Sequence, residues 1–199
     1  MKSLICGAVL FSIAICGCSS EKGNANTAEA NAATGKPAEG GGTEVALSPA
    51  NTKIQFVGNH TGDDPNPRTG TFEEFSGKAM LSEGALKSLH VDIQTKSVKT
   101  EIEKLTNHLK SPDFFDVREH PKATFQSTAI EPGEADKVKI TGNLTLLGVT
   151  KPISFPATVS TKEGLTLKAA FKIDRTQFGM DYGLEGVEKE VEMTVTVGK

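Results

Sequence analysis

The chain has 199 residues, a formal net charge of -3 and 37% hydrophobic residues, with ten phenylalanines, no tryptophan and three cysteines. A near-neutral balance without a basic stripe lacks the electrostatic footprint of a nucleic-acid binder. All three cysteines, Cys6, Cys16 and Cys18, lie at the start of the chain, so the remainder has no disulfide, thiolate metal ligand or cysteine nucleophile.

The first segment reads as an export signal. Lys2 and the amino terminus precede an apolar run from Leu4 to Ile15, too short for a bilayer, which needs roughly 20 apolar residues. The run ends in Ile15-Cys16-Gly17-Cys18, which resembles a bacterial lipobox, although Cys16 stands where Ala or Ser is commoner. That resemblance implies a signal peptide over 1–17 and diacylation of Cys18, and two acyl chains suffice for firm membrane attachment. The alternative is an ordinary secreted protein cleaved nearby. Residues 18–44 are nearly all small or polar, a composition that cannot offset its own ordering entropy and reads as a flexible tether. Ser19 after the anchor favours the outer membrane, with the protein on the periplasmic side of the cell envelope.

Residues 45–199 suit one domain. The pattern there has period two, the mark of strands with one buried face. In chain order, strands are expected around Ile54, Phe56 and Gly58, from Gly70 to Leu81, around Leu89, Val91 and Ile93, and from Ala123 to Ile130. They continue with Val138 to Leu146, Ile153 to Val159, Leu165 to Ile173 and Val191 to Val197. Between them, Thr100 to Leu109 places Ile102, Leu105 and Leu109 at helical spacing, with Thr100 as N-cap and Pro112 beyond the end. The expected fold is all-β, an antiparallel barrel of about eight strands with one short helix as a cap. The pattern leaves open a barrel, hollow or filled, and two stacked sheets.

Three stretches carry a family resemblance. His108-Leu109-Lys110 followed by SPDFFDVREHPKATFQST (111–128), then GNLTLLGVTKPISF (142–155), then Asp174-Arg175-Thr176-Gln177-Phe178-Gly179-Met180 resemble, in order, the signatures of the YceI-like family of bacterial envelope proteins. The resemblance implies a lipocalin-like barrel whose apolar interior binds a polyisoprenoid chain, such as an isoprenoid quinone or polyprenyl derivative. The chain departs from the family pattern at Leu147, where many members have His, and in a longer acidic loop after His60.

The pocket candidates are Phe56, Phe72, Phe125, Phe155 and Phe171 on inward strand positions, Leu144 and Leu146 beside them, and Phe114, Phe115 and Phe178 at strand ends or loops. Phe114 and Phe115 are read either as a lid or as part of a turn tied by Asp113 and Asp116 through side-chain bonds to the backbone. The histidines, His60, His90, His108 and His120, lack the spacing of a zinc site. His90 is expected to face solvent, and His108 to bond a loop carbonyl. Asp63, Asp64 and Asn66 lack an EF-hand pattern. No catalytic motif stands out, so no enzymatic role, cofactor or metal is expected; the resemblance implies a polyisoprenoid-type lipid as the ligand. The rival readings are a packed barrel serving as an interaction module, and an enzyme acting on a lipophilic substrate.

The anchoring expectation has a direct check. Cys18→Ser should move the protein from the membrane fraction to the soluble fraction on cell fractionation, since both acyl chains depend on that thiol; unchanged membrane partition would contradict it.

Overall fold

The computed structural model describes residues 42–62 and 66–198. Cys18, the signal segment and most of the tether lie outside the described residues, as do Asp63 and Asp64. The strands are β1 (Thr43–Leu47), β2 (Thr52–Gly58), β3 (Arg68–Phe72), β4 (Phe75–Ser82), β5 (Ala85–Gln94), β6 (Val98–Thr100), β7 (Lys122–Pro132), β8 (Lys137–Leu146), β9 (Val149–Ser160), β10 (Thr166–Asp174) and β11 (Glu190–Val197). Among the described residues, one helix, α1 (Glu103–Leu109), and two 3-10 turns, Thr95–Ser97 and Arg175–Phe178, complete the set.

These eleven segments form one antiparallel sheet in the order β1-β4-β5-β7-β8-β9-β10-β11-β2-β3-β6. Its two ends meet in a bent strand. Only Glu73 and Glu74 separate β3 from β4, and only a 3-10 turn separates β5 from β6. The ladder runs through the bend, where Glu73 N donates to Ser97 O (3.2 Å) and Gln94 N to Glu74 O (3.0 Å). On the other side of the same bent strand, β2 pairs with β3 and β1 with β4. With β1–β2, β3–β4 and β5–β6 each counted as one bent run, eight runs close a ring. The eight strands expected from the sequence are these runs; β1 and β6 are additional segments, created where a run bends and changes partner.

Alternation in the sequence becomes alternation in burial. In β2, Thr52, Ile54 and Phe56 are buried between partly or fully exposed neighbours, and in β10 Leu167 and Ala169 do the same. Each inward position removes a side chain from water, worth about 1.5–3 kcal/mol for a large aliphatic or aromatic group. Two inward positions are glycines roofed by rings. Gly70 is paired with Phe56, and a Cβ on Gly70 would lie 2.2 Å from the Phe56 ring; a Cβ on Gly142 would lie 2.5 Å from the Phe125 ring. Each phenylalanine thus lies flat over a gap in the wall that only glycine leaves.

One seam of the ring is splayed. β9 pairs with β8 over 149–158 but with β10 only over 157–160, so the first part of β9 has one ladder. Pro152 and Pro156 fall in that part, where a missing N–H costs no bond to β10. The Phe155 and Phe171 rings carry the contact on where the ladder stops, stacked 4.1 Å apart at 10°.

The helix starts later than its sequence pattern. Thr100 ends β6 and is not the N-cap: the cap position is Ile102, without a side-chain bond, and Thr100 Oγ1 instead accepts from Ile102 N (3.3 Å) and lies 2.9 Å from Thr106 Oγ1. Ile102, grouped with the apolar face on spacing, is 43% exposed.

The glycine pockets can be tested by stability. Gly70→Ala forces the Phe56 ring off its seat and should cost about 1–3 kcal/mol. Gly58→Ala, where a Cβ meets nothing within 4 Å, should stay within about 0.5 kcal/mol of the parent in a urea melt. Equal midpoints for the two variants would contradict the packing described.

Candidate ligand-binding site

The interior is filled at one end and hollow at the other. The hollow end holds a cavity of about 350 Å³ with a predominantly apolar wall. Its wall comes from the last inward residues of the strands on that side, including Phe56, Phe72, Ile93, Ala123, Leu144 and Ile173, and from α1 through Leu105 and Leu109. The volume is within the roughly 300–1,000 Å³ usual for small-molecule sites.

Six of the ten pocket candidates line it: Phe56, Phe72, Phe114, Phe115, Leu144 and Leu146. The loop after α1 supplies two of these, and its consecutive rings serve different clusters. Phe115 turns inward and meets Phe56 and Phe72 edge-on, with centroids 6.3 and 5.5 Å away. Phe114 joins a second group at the rim, with His108 at 5.0 Å and Tyr182 at 5.4 Å. Both rings are 8% exposed, which makes them wall rather than a loose flap.

The turn that carries them is not tied as the sequence suggested. Asp113 reaches the His108 ring, Oδ2 to Nε2 at 2.9 Å, and not the backbone. Asp116 contributes through its main chain: its carbonyl accepts from His120 N (2.8 Å) and Glu119 N (3.1 Å) while its φ is 41°. The expected bond from His108 to a loop carbonyl is thereby replaced by the carboxylate, within reach because the turn after α1 folds Asp113 back over the last helical turn. His60 lies on the cavity rim, bridged to Val187, and His90 pairs with Asp92 at 3.3 Å on the outer face. Leu147 occupies the β8–β9 hairpin with φ 52°, followed by Gly148 at 73°.

The other four candidates, Phe125, Phe155, Phe171 and Phe178, are off the cavity wall. Phe125 and Phe171 stand two positions along their own strands from the wall residues Ala123 and Ile173, so these rings lie just beyond the wall. Phe125, Phe155 and Phe171 make one stack, 5.6 and 4.1 Å between neighbours. Below it the interior is solid, with Ile140 and Leu167 at 0% and 1% exposure. Phe178 sits in the 3-10 turn that packs against β9 beside the splayed seam, 2% exposed. Sequence alternation identifies a side chain as inward, but not at which depth the packing stops. A larger side chain at the inward Gly142 would collide with the Phe125 ring and with the Gln126 carbonyl.

Arg175 is the residue whose part sequence reasoning did not assign. It is 2% exposed and on the cavity wall, and it binds the loop between the second 3-10 turn and β11. Nε donates to Glu188 O (3.0 Å), Nη1 to Met180 O (2.7 Å) and Tyr182 O (2.9 Å), and Nη2 to Val187 O (3.1 Å). Burial lowers its pKa from the ordinary arginine value, opposed by the carboxylates of Asp181 and Asp174. Four carbonyls accepting from one planar cation fix a loop that carries Met180, Tyr182 and Val187 to the cavity; lysine has neither the fork nor the donors for this. The signal was present in the sequence as the Arg of Arg175-Thr176-Gln177-Phe178-Gly179-Met180. Asp174 starts the same turn, accepting from Thr176 Oγ1 (2.6 Å) and Thr176 N (3.0 Å), and the side-chain bond is the main cause of its lowered pKa.

A family model described as YceI-like domain matches residues 46–198. The chain belongs to the YceI-like family. Protein YceI of Salmonella arizonae is 34% identical over 137 residues, covering 64% of this chain and 71% of that protein. The crystal structure of BcnA from Burkholderia cenocepacia matches with a TM-score of 0.68 at 25% identity, over 76% of this chain and 98% of that one. A polyisoprenoid binding domain from Saccharophagus degradans shares the fold, with a TM-score of 0.59 at 16% identity, over 78% and 98% of the two chains. Membership agrees with the three motifs, and the antiparallel barrel is the family's fold.

Hollow and solid halves should respond differently to truncation. Phe155→Ala, in the stack, should cost about 3–5 kcal/mol because transfer and cavity terms add. Phe115→Ala borders existing space and should cost only the transfer part, about 1.5–3 kcal/mol. Denaturant midpoints showing the larger loss at Phe115 would contradict the assignment.

Proposed function

We propose that this YceI-like domain is a non-enzymatic holder of an apolar chain, a polyisoprenoid-type lipid, which it stores or carries in the cell envelope while attached to a membrane through acylated Cys18. The observation that carries the reading is the cavity of about 350 Å³, walled by phenylalanine, leucine, isoleucine and methionine and reached past a rim with a few polar groups. Such a site favours a ligand by removing its hydrocarbon from water, at about 0.8 kcal/mol per methylene before the costs of association. The name of the Saccharophagus degradans relative supports the class of ligand, and the anchor follows from the lipobox resemblance alone.

Among the described residues, two polar side chains of the rim are engaged in structural contacts. His108 is engaged with Asp113 and packs edge-on against Phe114 and Tyr182, and Arg175 already donates to four carbonyls. Both are arrangements that hold the rim in shape.

Mass spectrometry of an organic extract from protein purified without harsh detergent tests this reading. The expected result is a prenyl lipid near one equivalent per protein, recovered chemically unchanged after incubation. Protein that is empty and fails to take up added prenol would favour the packed module, and a chemically altered lipid would favour an enzyme.

A further inference from the structure

Among the described residues, the large hydrophobic side chains that stay exposed are Ile102, Val149, Tyr182 and Leu184, at 43, 36, 48 and 49%. They come from three segments far apart in the chain, and the fold gathers them at one end. Val149 opens β9 in the hairpin after Leu146, and Tyr182 and Leu184 lie on the loop held by Arg175. Ile102 precedes α1, which covers the cavity through Leu105 and Leu109. Since Leu146, Tyr182, Leu105 and Leu109 all line the cavity, the four exposed side chains surround its mouth. The turns at the other end, 48–51, 83–84, 133–136 and 161–164, contain no aromatic residue and no Leu, Ile, Val or Met. Scattered exposed hydrophobics need no explanation, but a ring of them around a pocket does.

The chain enters the barrel from that polar end. Thr43 pairs with Leu81 beside the β4–β5 hairpin, whereas Phe75, at the opposite end of β4, pairs with the wall residue Ile93. A protein held through Cys18 is therefore held by the end away from its mouth. Residues 19–42 lie between Cys18 and Thr43. A chain of that length spans about 80 Å at full extension and about 25–30 Å as a random coil. A ten-residue strand such as β8 covers about 33 Å. The connection is thus long enough for the domain to turn its mouth back to the membrane that anchors it.

The charges decide the kind of surface. The loop with Tyr182 and Leu184 carries Asp181, Glu185 and Glu188 against Lys189, and Glu101 and Glu103 flank Ile102. An anionic bilayer repels such a rim. A zwitterionic one leaves the apolar side chains to decide, and a tyrosine, with its apolar ring and wet hydroxyl, suits headgroup level.

We propose that the mouth of the barrel docks on a zwitterionic lipid bilayer, seating Ile102, Val149, Tyr182 and Leu184 among the headgroups, so that the ligand passes between membrane and cavity without crossing water. This inference rests on the apolar-ligand reading and adds the surface on which the ligand is exchanged.

Because the chain has no tryptophan, a single introduced one reports its own depth. The protein as purified from cells is added to phosphatidylcholine vesicles as Leu184→Trp, with Ala50→Trp, on a turn at the other end, for comparison. Lipids brominated on their acyl chains should quench Leu184→Trp at least about twofold and leave Ala50→Trp unchanged. Adding phosphatidylglycerol should weaken the quenching. Ile102 and Leu184 do not line the cavity, so the double variant Ile102→Ser with Leu184→Ser separates docking from binding. It should slow uptake of farnesol from vesicles at least about tenfold while keeping affinity for farnesol in detergent within about twofold. Leu184→Trp unquenched on vesicles, or uptake unchanged in the double variant, overturns the docking and leaves lipid binding intact. Dimerisation in solution that buries Leu184→Trp assigns the face to a second copy and overturns it too. Farnesol that binds the parent protein in neither presentation overturns the underlying reading as well.

Discussion

Closure of the sheet through its bent strand is the constraint from which the rest follows. Because Glu73 and Glu74 allow one run to pair with β2 and β6 in its first half and with β1 and β5 in its second, both ends of an eleven-segment sheet meet on the same piece of chain. A ring closed in this way leaves few free edges, chiefly one side of β1, of β6 and of the first part of β9, where pairing between molecules would otherwise be invited along a whole strand. It also directs every inward face to one shared interior, so the residues facing inward decide how much of that interior is left open.

The answer differs along the barrel. At the filled end, Ile140, Leu167 and Ala79 are essentially inaccessible, and the phenylalanine stack closes that region off. At the other end the wall rings lie back against their neighbours: Phe56 covers Gly70, and Phe72 and Phe115 meet it at an angle. The space is kept open by parts outside the strands. The loop after α1 brings Phe114 and Phe115 to it, and the loop before β11 is held on Arg175. A buried guanidinium donating to backbone carbonyls satisfies those acceptors in a dry place, where unpaired polar groups are costly.

Much of this was legible in the sequence, for identifiable reasons. Period-two alternation located eight runs because each has one buried face, and the motifs around Asp113-Phe114-Phe115-Asp116 and Arg175 marked the two segments that shape the cavity. The helix was displaced because Thr100 has an equally good use in the turn with Ile102 and Thr106. Phe125, Phe155 and Phe171 were readable as inward but not as lying off the cavity wall, since depth depends on which rings meet across strands far apart in the chain. Tyr182, Met180 and Val187 reach the cavity on a loop held by the bonds of Arg175 and by the bridge to His60, a tertiary arrangement without a periodic signature. The tether and Cys18 are read from composition and resemblance alone.

The central claim is that one end of the barrel accepts an apolar chain and the other does not. Intermolecular nuclear Overhauser effects between isotope-labelled protein and bound farnesol measure this directly. The account predicts cross-peaks from prenyl protons to Phe56, Phe72, Phe115 and Leu144, weaker ones to Phe155, and none to Ile140 or Leu167. Strong cross-peaks reaching Ile140 and Leu167 would show a chain threading the whole barrel and would contradict it.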